Sequence, residues 1–96
     1  MNLKKLIEYP KQGIISKDIS RTKNENISLF CMAKGSSMDE HTSTKKVLVY
    51  VIEGSGVFNI GSKKISMKPG ELITLEKNKK HSLKADKKTA FLLIIH

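Results

Sequence analysis

An all-β fold of about eight short strands, closed into a sandwich or barrel, is predicted from three observations on this 96-residue chain. Short runs rich in β-branched and other apolar residues recur along its whole length, and no window sustains a helical apolar period. Turn-forming residues separate those runs at close intervals. Finally, so many strands in so short a chain would leave long exposed edges if they lay in one flat sheet, so they must fold back into two sheets or close up.

The elements follow in order. Residues 1–13 form an arm, either a short helix or an added strand, and Pro10 ends whichever it is. Strands are expected at Ile14–Ile19 and Ile27–Ala33, joined through Lys23-Asn24-Glu25-Asn26. The stretch from Lys34 to Lys46 is the longest irregular connection, and such connections carry sites more often than packing. Val47–Ile52 and Gly56–Ile60 come next, joined by Gly54-Ser55, and Gly61-Ser62 turns the chain into Lys64–Met67. Pro69-Gly70 leads into Glu71–Leu75, Lys77-Asn78 precedes His81–Ala85, and Asp86-Lys87 precedes Ala90–Ile95. There is no internal repeat or low-complexity segment, and 96 residues suffice for a single hydrophobic core, so one domain is expected over 1–96.

Composition narrows the function classes. Basic residues outnumber acidic ones 18 to 9, a formal charge of +9 that invites a nucleic-acid reading. Against it, every cation but Arg21 is a lysine, which lacks the fork that makes bidentate base and phosphate contacts. The three Phe and two Tyr are not interleaved with the lysines to make a stacking platform. Most lysines fall in expected turns, where they solvate loops and discourage edge-to-edge sheet pairing, so no nucleic-acid partner is expected. The longest apolar runs, Val47–Ile52 and Phe91–Ile95, are far short of the roughly 20 residues of a membrane helix. Leu6 and Ile7 are followed at once by Glu8, Tyr9 and Pro10, which is no export signal, and the lone Cys31 forms no internal disulfide. A cytoplasmic protein with no membrane partner is the expectation.

Chemistry is concentrated on two histidines. If the chain is extended from His41, then His41, Ser43, Val47, Val49 and Val51 share parity and face one side, polar at first and then apolar. His81 and Leu83 repeat that pattern on another strand. Should the two faces meet, two imidazoles look into one cavity with an aliphatic floor. The plainer alternative for either histidine is a ring that donates to a backbone carbonyl and packs its edge. Cys31, in an apolar strand, is expected to act as a small buried hydrophobe, and Met38 to serve ordinary packing. His96 is assigned no role.

Gly35, five residues, His41, and then Val51-Ile52-Glu53-Gly54-Ser55-Gly56 resemble the first motif of the cupins, small β-barrel proteins of the double-stranded β-helix, or jelly-roll, type. Pro69-Gly70-Glu71, an apolar strand, Asn78 and His81 resemble the second motif, so the likeness covers about residues 34–95. Metal-binding cupins present a His-x-His pair, a glutamate four residues beyond the second His, and the second-motif His. Here His41 and His81 hold the first and last of those places, while Ser43 and Val47 replace the middle two. Two imidazoles alone bind a divalent transition metal weakly, and Val47 places an aliphatic group where a carboxylate should neutralise the ion. The resemblance therefore implies a degenerate metal site at His41 and His81, with no tightly held cofactor. The preferred expectation is a barrel that binds or senses a small organic ligand through His41, Ser43, Val47, Val49, His81 and Leu83. The alternative is a metal-dependent oxygenase, isomerase or decarboxylase using the two histidines. By the same resemblance a homodimer is expected, with the N-terminal arm in its interface.

Overall fold

Alternation of apolar and polar residues decides which side of each strand faces inward. In the computed structural model, which describes residues 1–96, a single 3-10 turn at Leu3–Leu6 is followed by nine strands. They are β1 (Ile14–Arg21), β2 (Asn26–Met32), β3 (Ser37–His41), β4 (Val47–Glu53), β5 (Gly56–Ile60), β6 (Lys63–Met67), β7 (Leu72–Leu75), β8 (His81–Ala85) and β9 (Thr89–Ile95). One sheet has the order β1-β2-β9-β4-β7 and the other β3-β8-β5-β6, with every pairing antiparallel. The fold is thus the all-β jelly roll that the sequence predicts.

Strand β4 shows how the layers form. Val47, Val49 and Val51 are buried while Leu48 is half-buried and Tyr50 exposed, a period of two that puts one edge of the strand in the core. These valines meet Ile73, Leu75 and Phe91 of the same sheet, and Phe58, Met67, Leu83 and Ala85 of the facing one. Each such side chain removed from water contributes roughly 1.5–3 kcal/mol.

The sequence reading misses β3, which it places inside an irregular connection. Ser37-Met38-Asp39-Glu40-His41 carries two acids and only one large apolar side chain, Met38, so it lacks the usual strand signature. It forms because β8 offers it an edge, with Met38 opposite Leu83 and His41 opposite His81.

Gly54-Ser55-Gly56 seals the end of the barrel away from the histidines. A Cβ on Gly56 would strike the Lys84 carbonyl, and one on Gly54 would strike Lys88 O and Thr89, so both positions require the missing side chain. The fully buried Thr89 hydroxyl receives the Ser55 amide at 3.2 Å and lies 3.0 Å from Ser55 O and 2.8 Å from Lys87 O.

The arm packs on its own chain. Leu6, Ile7 and Tyr9 lie against a second cluster, formed by Leu29, Cys31 and Ala90 on the outer face of the five-stranded sheet. Lys17 pairs with Glu8 and also donates to Leu6 O at 2.9 Å, and Tyr9 donates to Glu53 at 2.6 Å. The Lys17 ammonium holds the Glu8 carboxyl below its ordinary value, and partial burial followed by the Glu53 carboxylate pushes the Tyr9 phenol up. No helix is long and apolar enough to cross a membrane.

Candidate functional site

Both histidines are built by the same local device. His41 ends β3 and His81 begins β8, and pairing in the β3–β8 ladder sets them directly opposite one another. Each ring turns back on its own chain: Nδ1 of His41 lies 2.7 Å from Asp39 O, and Nδ1 of His81 lies 3.0 Å from Lys79 O. A carbonyl oxygen only accepts, so both Nδ1 atoms carry the proton and donate it. Neither Nε2 has a protein partner, so each is the ring atom left to meet a bound molecule.

The two rings make a layered group. Their centroids are 4.1 Å apart at an interplanar angle of 65°, and His81 also stacks on Phe58 at 5.9 Å and 10°. His81 is 7% exposed whereas His41 is exposed, so one imidazole forms the inner wall and the other the lip.

Beneath them is a cavity of about 220 Å³, of whose ten lining residues eight are hydrophobic. The five-stranded sheet contributes Phe30, Val49, Leu75, Phe91 and Leu93, and the smaller sheet contributes Met38, Phe58 and Leu83. Phe30 and Phe91 stack on each other at 5.2 Å and give the far wall a flat aromatic surface. For scale, a dry cavity of roughly 150 Å³ admits benzene. This one has room for a single ring with one or two substituents, or for a short aliphatic chain.

Four of the six residues assigned to the cavity from sequence line it: His41, Val49, His81 and Leu83. Ser43 and Val47 are not among its lining residues. Ser43 lies beyond the end of β3, where its hydroxyl accepts the Lys45 amide at 3.2 Å and its carbonyl accepts the Asn78 amide at 2.7 Å. Val47 is buried but does not border the void, being ringed in the core across from Leu75 and Ile95. The chain turns between residues 42 and 46, which takes Ser43 out of the extended stretch, while Val47 keeps the inward side it shares with Val49 but sits in packed core. Met38, expected only to pack, is a lining residue. The aromatic walls were not assigned to the site at all. Periodicity marks Phe30, Phe58 and Phe91 as candidates for inward positions, but no sequence signal separates an inward residue beside a void from one in solid core.

The side chains do not supply a shell for a divalent metal. No cluster of three or more His, Cys, Asp or Glu residues occurs anywhere in the protein, so His41 and His81 stand alone. The carboxylate place is taken by an aliphatic residue in the core, and a structural or catalytic transition-metal site needs three or four protein donors.

Comparison with known proteins gives a consistent account of the fold. A family model described as "Cupin domain" matches residues 28–96. A cupin superfamily protein from Desulfitobacterium hafniense is similar over 99% of this chain and 87% of its own, at 24% identity and a TM-score of 0.92. A conserved protein of unknown function from Streptococcus pyogenes is similar over 99% of this chain and 83% of its own, at 19% identity and a TM-score of 0.90. A Cupin 2 conserved barrel domain protein from Leptotrichia buccalis is 30% identical, with a TM-score of 0.92 over 99% of this chain and 46% of its own. No curated protein matches the chain.

Proposed function

The chain belongs to the cupin family, and on that basis we propose that it is a binding or sensing barrel which holds a small, mostly apolar molecule between its two sheets. The observation that carries this reading is a void of about 220 Å³, walled by aromatic and aliphatic side chains, with two hydrogen-bonding imidazoles at one end. A cavity of that size in a domain this small forgoes contacts that a filled core would have, and ligand sites are where such a sacrifice is retained. The ligand's body replaces the missing contacts. A polar group on it meets Nε2 of His41 or His81, the two polar side chains among the lining residues.

Phenol is a suitable probe, being one ring with one donor. Titration followed by NMR should shift the methyl signals of Val49 and Leu83 and the ring signals of His81, and leave those of the outer cluster, such as Leu29, unmoved. An absence of shifts with phenol and with a panel of monocyclic and short-chain molecules would overturn the reading.

A metal-dependent enzyme would need donors beyond the two imidazoles, from the ligand or from water. Metal analysis of protein purified without an affinity tag separates the two readings. Near-stoichiometric zinc, iron, nickel or copper that disappears in His41→Ala and His81→Ala would replace the binding-barrel reading with the metal one.

The proposed homodimer has an apolar surface to use. Tyr50 and Leu72, 40% and 57% exposed, are neighbours on the β4–β7 ladder and stand on the outer face beyond the arm. Light scattering of wild type and Leu72→Lys tests this: a dimer that dissociates in the variant supports it, and a monomeric wild type removes it.

A further inference from the structure

Charge is distributed unevenly between the two ends of the barrel. At the end remote from the histidines, Lys34, Lys68, Lys87 and Lys88 stand with Glu53, Glu71 and Asp86, close to balance. At the histidine end the β3–β4 loop carries Lys45 and Lys46, the β5–β6 turn delivers Lys63 and Lys64, and the β7–β8 loop carries Lys77, Lys79 and Lys80. All seven are exposed, and the same segments hold only Asp39, Glu40 and Glu76 as carboxylates. Neither of the protein's ion pairs, Lys17–Glu8 and Arg21–Asp18, involves any of these lysines.

The three lysine-bearing segments are tied to one another and to the histidines. Asn78 N donates to Ser43 O at 2.7 Å, joining the β7–β8 loop to the β3–β4 loop just past His41. Gly61 N donates to Lys80 O at 3.0 Å, joining the β5–β6 turn to the same loop, and His81 Nδ1 donates to Lys79 O. The lysine-bearing segments thus adjoin the two histidines that line the cavity's outer end. Like charges gathered there without counter-charges repel one another, an arrangement that costs stability until an anion relieves it.

We propose that the ligand is a small organic anion: an apolar body of about one ring in the cavity and a carboxylate at its outward end, in the field of the lysine rim. This rests on the cavity being the binding site, and it adds the sign of the ligand's charge. The field also draws such an anion toward the mouth, since a concave apolar opening ringed by one sign of charge raises the local concentration of its counter-ion. A nucleic acid is the weaker match to the same lysines. Its backbone has no part that fills an apolar void, and Phe58 and the other rings near the mouth are inside the cavity and unavailable for base stacking.

The experiment uses three probes on the full chain, measured by calorimetry: phenol, salicylamide and salicylate. The last two share shape, ring and hydroxyl but differ in charge. Salicylate should bind on the order of tenfold more tightly than salicylamide at about 0.01 M ionic strength. The advantage should vanish near 1 M, as the screening length falls from roughly 30 Å to 3 Å. In Lys45→Gln/Lys46→Gln/Lys77→Gln/Lys79→Gln, folded by the criterion of a single cooperative melting transition no lower than that of wild type, salicylate should fall to the affinity of salicylamide and salicylamide should not change. Equal affinity for the two at low salt, or phenol binding without salicylate binding, would overturn the anion while leaving the cavity reading intact. Binding of none of the three would overturn both. Low-salt binding of a DNA duplex by a protein indifferent to salicylate would reassign the lysines to nucleic acid and overturn the proposal.

Discussion

Replacing Val49 by isoleucine tests whether the space between the sheets is real. Val49 is fully buried on the inner face of β4, paired opposite Ile73 and Leu93, and borders the cavity. Isoleucine retains the branched Cβ that suits a strand and adds one methylene. Where that methylene has an unfilled void to enter, its burial is worth about 0.8 kcal/mol. In a close-packed core the same insertion forces side chains off their rotamers and costs about 1–3 kcal/mol. The sign therefore discriminates. For a domain of this size 1 kcal/mol corresponds to roughly 4–8 °C, so the melting temperature of Val49→Ile should rise by about 3–6 °C in scanning calorimetry. Val49→Phe extends a ring into the same space; the protein should remain folded and lose phenol binding by about tenfold or more, the trade of function for stability expected at a site. A fall of several degrees in Val49→Ile, or undiminished phenol binding in a folded Val49→Phe, would refute the argument.

Three further outcomes follow from the packing. Gly56→Ala should lower stability by about 2–4 kcal/mol in urea unfolding, because its Cβ has no room beside the Lys84 carbonyl and the obstacle is backbone. Tyr9→Phe should be less stable than wild type near neutrality, and the deficit should shrink above pH 10. The folded phenol is raised above its ordinary value of 10.0, so stability is complete below that value and is lost as the unfolded phenol begins to ionise; a deficit that stays constant through pH 11 would contradict this. Ile7→Ser should speed labelling of Cys31 by a thiol reagent, since the arm covers the cluster that holds it. Unchanged labelling would show that the arm is not what shields the thiol.

The strands with alternating or continuous apolar runs were legible because their residues declare both conformation and facing side. Strand β3 was not, because its pairing to β8 is a tertiary event and Asp39 and Glu40 disfavour a strand locally. The site was half legible for a related reason. His41 and His81 occupy motif positions that the fold points inward, and Val49 and Leu83 follow from parity along strands that are continuous. Carrying the same parity from His41 to Ser43 assumed an unbroken strand, and a turn intervenes, while Val47 is on the inward side but away from the void. The aromatic walls were illegible because which inward residues border a void depends on how the two sheets separate, and no local pattern encodes that distance.

The two ends of this barrel are finished differently, and the difference explains how a motif can retain its frame while losing its usual chemistry. At one end Gly54, Gly56 and Thr89 bring β4, β5, β8 and β9 into contact too close for a side chain, so any change there is opposed by the stability of the whole sandwich. At the other end the loops are held by main-chain hydrogen bonds and by the His81 ring on Lys79 O, none of which uses the side chain of residue 43 or 47. Serine in a turn and valine in the core are each satisfied where they sit. Serine and valine at those two places thus leave the fold intact, and the two imidazoles stay oriented by their own backbone carbonyls. The proposed organic anion draws on what that end presents: an apolar hollow, two imidazoles and seven exposed lysines.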